Sequence, residues 1–274
     1  ARKFKEELGV PVIAVGIYPT SWPDPHPPPG RKVGDVSDLV YAWLGDAPVP
    51  YHQGWDLQKR LHERRVADEV DDTVLFLEHE PVYTAGKRTG KWDRPITDPG
   101  APVVDIDRGG KITWHGPGQL TVYPIVRIPD PVDVIAYVRM LEEAILRTIA
   151  EYGLTGRRVE GRTGVWWDAE PERGLIERKV AAIGCRIARG VGMHGLALNC
   201  DNDLSWYDRI IPCGITDAGT TSLSAELGRR VTVADVRPRM ERHLADVLGA
   251  DGYSHTDGAE LLSGVTVPGR HTTP

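Results

Sequence analysis

The chain has 274 residues, 41% of them hydrophobic and 26% charged, a composition that supports a full globular core. Its net charge of −6 excludes general nucleic-acid binding, because neutralising phosphates needs a basic face. No stretch nears the ~18 consecutive apolar residues of a membrane span. Residues 10–18 are too short, and too broken by Pro11 and Gly16, for a signal peptide. The expectation is a cytoplasmic protein, or one whose targeting segment has been removed. Three cysteines without a C-x-x-C pair argue against a disulfide framework and against a zinc site.

Residues 1–36 stand apart. The run S-W-P-D-P-H-P-P-P-G at 21–30 holds too many prolines to feed a helix or a sheet ladder, so 1–36 reads as an extension with one short strand at 12–17. The main domain is expected over 37–250, followed by a tail at 251–274. A helix is predicted from 51, with Tyr51, Trp55, Gln58, His62 and Val66 on one face beside Leu57 and Leu61. Strands are predicted at 73–77, 82–84 and 103–106, and at 112–114 and 120–128 on either side of an H-G-P-G loop. The strongest helix spans 131–152. There Val134, Val138, Leu141, Ile145 and Ile149 share a face, Asp130 is the expected cap, Pro131 suits the first helical position and Gly153 the stop. Strands follow at 164–167, 180–187 and 196–199. A last helix lies within 233–248, capped by Thr232 and kinked or restarted at Pro238. This irregular interleaving predicts an α+β or mixed α/β fold around one sheet.

Glycine clusters mark four places of sharp turning or close approach: R-G-G-K-I-T-W-H-G-P-G-Q at 108–119, K-V-A-A-I-G at 179–184, M-H-G-L-A-L-N at 193–199 and P-C-G-I at 212–215. None matches a dinucleotide or phosphate-loop pattern. Cys213, between Pro212 and Gly214, sits at a predicted turn from which its sulfur can reach a pocket; a small buried hydrophobe is the competing reading. Cys185 and Cys200 lie within strands and read as structural. A thiol of ordinary pKa, ~8.5, needs a nearby cation to act as a nucleophile. Lys179 and His194 are the candidates, against the plainer readings of a solvated lysine and a loop histidine bonded to backbone; His115 carries the same plain reading. The cluster Lys87, Arg88 and Lys91 reads first as solvated surface, with service to an acidic partner as the other reading.

Together these segments resemble the lipoyl(octanoyl) transferases, which are related in fold to the biotin and lipoate protein ligases. The matches are R-G-G-x-x-T-x-H-G-P-G-Q, K-x-x-x-I-G, H-G-x-A-L-N and P-C-G-I, joined by E-H-x-P-V-Y-T-x-G at 78–86 and T-S-L-x-x-E-L-G at 221–228, in family order across 44–248. The resemblance implies a mixed sheet flanked by helices and no cofactor. It implies octanoyl transfer from acyl carrier protein to a lysine of lipoyl domains, those of 2-oxoacid dehydrogenase complexes and of the glycine cleavage H protein. It further implies that Cys213 carries the acyl group as a thioester and that Lys179 lowers its pKa and moves protons. The implied substrate pocket comprises Arg108, Gly109, Gly110, Lys111, Ile112, Thr113, Trp114 and His115, then Ala182, Ile183 and Gly184, then Gly195, Leu196 and Ala197, with His194 in support. Val122 stands where the family commonly has glycine, so the strand after H-G-P-G is expected to pack differently. The rival readings are an ATP-dependent lipoate–protein ligase, a cysteine hydrolase using His194 or His115, and a scaffold that binds lipoyl domains without turnover.

Overall fold

The computed structural model describes residues 38–210 and 217–264. In chain order the strands are β1 (Leu39–Trp43), β2 (Thr73–Leu77), β3 (Val82–Ala85), β4 (Val103–Asp105), β5 (Thr113–His115), β6 (Gln119–Ile125), β7 (Arg157–Val159), β8 (Arg162–Trp167), β9 (Arg178–Ala188), β10 (Val191–Asn199), β11 (Gly219–Thr220) and β12 (Tyr253–Asp257). The helices are α1 (Tyr51–Val66), α2 (Val134–Ala150), α3 (Leu223–Leu227), α4 (Val233–Leu248) and α5 (Gly258–Ser263). The main sheet runs β12-β1-β2-β6-β10-β9-β8-β7, with β11 added beside β9; β4, β3 and β5 form a small second sheet. The fold is therefore α+β, a mixed sheet flanked by helices.

Period-two alternation sends successive side chains of the central strands to opposite layers. Val74 and Phe76 of β2, with Leu120 and Val122 of β6, face a core shared with Leu141, Ile145 and Ile149 of α2 and with Val236, Met240 and Leu244 of α4. Leu75 and Leu77, with Tyr123 and Ile125, face the other way, onto Leu57 and Leu61 of α1 and Leu261 of α5. Each such side chain contributes roughly 1.5–3 kcal/mol on leaving water. The small sheet carries its own cluster of Tyr83, Ile112, Trp114, Tyr207 and Ile210.

Two polar members of the α1 stripe bond backbone groups of the sheet. Gln58 accepts the His194 backbone N–H at 2.9 Å, and His62 bonds the Ala188 carbonyl at 3.1 Å, so α1 grips β9 and β10 by their backbones. Helix α4 opens as expected on Thr232, with Asp235 completing a reciprocal capping box. Among the described residues no helix is long and apolar enough to cross a membrane.

Four expectations change. Helix α2 starts at Val134, because the Asp133 carboxylate accepts the Ala136 N–H at 2.9 Å and so caps it in place of Asp130. Helix α4 continues through Pro238, which lies on its exposed face, where water can meet the Ala234 carbonyl left without a donor. Strand β5 is shifted one residue, to Thr113–His115. The expected tail from 251 is in part folded: β12 pairs in parallel with β1, from Leu39↔Tyr253 to Trp43↔Asp257, and α5 packs behind it. The extension 1–36, its strand at 12–17 and Cys213 lie outside the described residues.

Candidate active site

Strands β9 and β10 run antiparallel with Gly184 opposite Gly195 and Ala182 opposite Ala197, so small residues floor the sheet where the segment 108–115 crosses it. A Cβ on Gly184 would come within 2.8 Å of the Arg108 side chain, and one on Gly195 within 2.3 Å of the Val122 carbonyl. At Gly195 the obstacle is backbone, so only hydrogen fits; at Gly184 a larger side chain would have to displace Arg108. Val122 is fully buried in β6, pairs with Phe76 and Leu196, and turns its carbonyl onto Gly195. It is thus part of the regular ladder, and its side chain fills the α2/α4 core.

Between these walls lies a cleft of ≈ 180 Å³. Ala182, Ile183, Leu196 and Ala197 give it an apolar floor. Arg88, Arg108, Lys111, Arg162 and Lys179 bring cations to its lining, and no carboxylate lines it among the described residues. Such a cleft stabilises negative charge and draws in anionic ligands.

Lys179 is buried in β9, its ammonium 4.4 Å from the centre of the Trp166 ring. Its neighbour across the ladder is Thr220 of β11, and its carbonyl accepts the Thr221 N–H at 2.9 Å. The strand that follows the P-C-G-I segment in sequence therefore runs beside Lys179.

Arg108 is buried and spends its guanidinium on structure. It donates to the carbonyls of Gly109 and Lys111 at 2.8 and 2.9 Å, and to the carbonyl and hydroxyl of Thr84 at 2.7 and 2.9 Å. From Thr84 a polar chain crosses the interior. The Thr84 hydroxyl donates to His115 Nε2 at 3.2 Å, and His115 Nδ1 donates to Gln119 Oε1 at 2.7 Å. The Gln119 amide donates to Asn199 Oδ1 at 2.9 Å, and the Asn199 amide donates to the Thr221 carbonyl at 2.9 Å. Burial pushes His115 down to about 3, so the ring is neutral, and this pattern fixes its tautomer. With both nitrogens engaged it is a structural link, not a base. His79 is held likewise: it bonds the Val49 carbonyl at 2.9 Å and the Tyr123 hydroxyl at 2.7 Å, and burial pushes it down to about 4.

His194 lines the cleft from β10, with a positive φ of 56° that its N–H bond to Gln58 helps to hold. Its Nε2 lies 2.8 Å from Asp107 Oδ1, and Arg186 binds the other oxygen of that carboxylate at 2.7 Å. The bond from His194 holds Asp107 down at about 2, whereas burial lowers His194 itself. Removal from water pushes the Cys185 thiol up to about 11 and the Cys200 thiol well above its usual range, so both stay protonated.

Of the expected pocket residues, Arg108, Gly110, Lys111, Thr113, His115, Ala182, Ile183, Gly184, Gly195, Leu196 and Ala197 line the cleft, and His194 joins them. Gly109, Ile112 and Trp114 do not. Alternation from Ile112 into β5 turns Ile112 and Trp114 into the small-sheet core, and Gly109 donates its N–H to the Cys185 carbonyl at 3.1 Å to brace the wall. Sequence reasoning gave no site role to Tyr51, Arg88, Tyr123, Arg162 and Thr163 in the lining, to Asp107 and Trp166, or to the Thr84–Gln119–Asn199 chain. Thr84, Gln119 and Asn199 were visible as members of matched motifs; the others carry no local signal.

This architecture is that of the lipoate protein ligases. A bipartite lipoate protein ligase of Thermoplasma acidophilum superposes with a TM-score of 0.62 over 84% of this chain and 91% of that one, at 16% identity. Lipoate-protein ligase A bound with ATP superposes with a TM-score of 0.52 over 84% of this chain and 93% of that one, at 15% identity. The model of the lipoyl protein ligase A/B catalytic domain matches residues 50–245. The octanoyltransferase of Thermobifida fusca is 71% identical over 83% of this chain and 96% of its own length. That of Salinispora arenicola is 62% identical over 78% and 98%. The chain belongs to the lipoyl protein ligase A/B catalytic-domain family and, within it, to the octanoyltransferases.

Proposed function

We propose that the chain moves an octanoyl group from acyl carrier protein to a lysine of a lipoyl domain, through a thioester on Cys213. The observation that carries this reading is the pairing of Thr220 with Lys179, which runs the strand following P-C-G-I beside a buried lysine in an apolar-floored, cationic cleft. In the first step the Cys213 thiolate attacks the thioester carbonyl carbon. The bond to the carrier sulfur breaks, and the departing thiolate takes a proton from the Lys179 ammonium. In the second step the acceptor amine attacks octanoyl-Cys213, gives its proton to Lys179 and expels the Cys213 thiolate. Thioester exchange is nearly balanced and amide formation drives the second step, so ATP is not consumed. The eight-carbon chain suits a floor of Ala182, Ile183, Leu196 and Ala197 between close backbone walls.

Incubation with octanoyl-carrier is expected to add one octanoyl mass to the intact protein, and addition of a lipoyl domain to discharge it without nucleotide. Undiminished labelling of Cys213→Ala would remove the nucleophile assignment. Transfer that requires free octanoate and ATP would favour a ligase.

A further inference from the structure

The loop between β3 and β4 departs from ordinary surface. Trp92 is 81% exposed and Ile96 97% exposed, the two most open large hydrophobic side chains among the described residues. Lys87, Arg88 and Lys91 are exposed beside them, with the Lys91 ammonium 5.7 Å from the centre of the Trp92 ring. Asp93, the carboxylate within 87–96, is turned inward, where it accepts the Gly90 N–H at 2.7 Å and the Lys111 ammonium at 3.1 Å; Asp105 pairs with Arg94, and Asp98 is exposed just beyond. The outward face of 87–92 is thus wholly cationic, on a chain whose net charge is −6.

The loop is also fastened to the cleft. The Lys87 N–H donates to the Arg108 carbonyl at 3.2 Å and the Arg88 N–H to the Gly110 carbonyl at 3.1 Å, so backbone bonds tie it to the wall that Arg108 and Gly110 form; Arg88 itself lines the cleft. A partner seated on this loop sits at the mouth of the acyl site.

We propose that residues 87–96 are the docking surface of the octanoyl donor, an acidic carrier protein that presents its thioester on a phosphodiester-linked arm. This rests on the reaction proposed above. Charge selects the donor over the acceptor: an acidic surface and an anionic phosphodiester are attracted to this face, whereas the acceptor must bring in a cationic lysine, which it repels. Exposed Trp92 and Ile96 supply the apolar contact that a polar rim lacks.

The test compares octanoyl-carrier with octanoyl-pantetheine, which has the same thioester without the protein, as donors for the wild type, for the double variant Lys87→Glu/Lys91→Glu and for Trp92→Ala. The double variant is expected to raise KM for octanoyl-carrier about 10-fold or more with kcat little changed, and Trp92→Ala to raise it about 3-fold or more. KM for octanoyl-pantetheine and for the lipoyl domain should stay put, which also shows that both variants fold. The carrier KM of the wild type should climb with salt, and that of the double variant should not. Unchanged carrier KM, or an equal rise with octanoyl-pantetheine, would overturn the docking surface. A rise confined to the lipoyl domain would reassign it to the acceptor. If the wild type took no octanoyl from carrier protein at all, the proposed reaction itself would fall, a different outcome from a variant that matches the wild type.

Discussion

The Lys179 ammonium stands 4.4 Å from the centre of the Trp166 indole, with both residues buried on adjacent strands β9 and β8. A buried lysine is a costly residue, and an aromatic face is one of few apolar surfaces that attracts an ammonium, by about 0.5–2 kcal/mol. Trp166 is thereby a positioning residue for the cation proposed to serve Cys213. Trp166→Leu is expected to lower kcat by about 3- to 30-fold. Lys179→Ala should move the pH profile of Cys213 alkylation upward, since on the proposed pairing the thiolate loses the cation that serves it. An unmoved alkylation profile would count against the pairing.

Stability should fall with acid before the ordinary carboxylate range is reached. His79 and His115 are held neutral, at about 4 and about 3, against an unfolded value of 6.5. Between those limits the unfolded chain binds more protons than the folded one. The contribution of both rings is therefore complete above pH 6.5 and drains away as pH falls toward 4. Denaturant melts from pH 7 to 4 are expected to show stability falling steadily with acid, with a steeper slope below pH 6.5, where both rings must stay neutral. His115→Gln should flatten the slope. A slope unchanged in that variant would show that the loss arises elsewhere.

Much of this scaffold was legible in the sequence because its signals are local. Helix α4 announces itself through Thr232 and Asp235 three residues apart, and β2 through four apolar residues in a row, Val74 to Leu77. Strand β12 does not: Y-S-H-T-D has no alternation to read, because it is an exposed edge that gains its place only by pairing with β1. The site divides the same way. Glycines at 184 and 195 and the floor they open can be read as motifs. The chain from Thr84 through His115 and Gln119 to Asn199 links positions 31 and 80 residues apart, and Asp107 meets His194 across 87. Such partners exist only once the sheet is assembled.

The glycine-walled cleft predicts two different failures from one kind of substitution. Gly195→Ala drives a methyl to 2.3 Å from the Val122 carbonyl and 2.7 Å from Pro124, both in a strand that cannot yield. Stability should drop by about 1–3 kcal/mol. Gly184→Ala meets instead the Arg108 side chain at 2.8 Å, whose aliphatic stem can shift. That shift pulls on the bonds to Gly109, Lys111 and Thr84, so the expected loss is in acyl-enzyme formation, with a smaller fall in melting temperature. Parallel melts and acylation rates separate the two; equal melting loss without a difference in acylation would contradict this division.

Asp107 and His194 look, on distance alone, like the acid–histidine half of a hydrolytic triad. Their setting argues otherwise. His194 is buried between the rings of Trp55 and Tyr123, 6.3 and 6.4 Å from its own, its backbone is tied to Gln58, and burial holds it in the neutral form. Bonded to Asp107 through Nε2, it serves as wall, and Arg186 on the far oxygen keeps Asp107 from drawing the ring into a protonated state. His194→Gln is accordingly expected to raise KM for the donor about 10-fold, through a distorted wall, while kcat and the alkylation profile of Cys213 change little. The wild-type acyl-enzyme should persist in buffer and discharge only when a lipoyl domain is added. Rapid release of free octanoate, abolished in Asp107→Asn, would instead make the pair a working general base and the protein a hydrolase, because only an activated water could then be reaching the thioester.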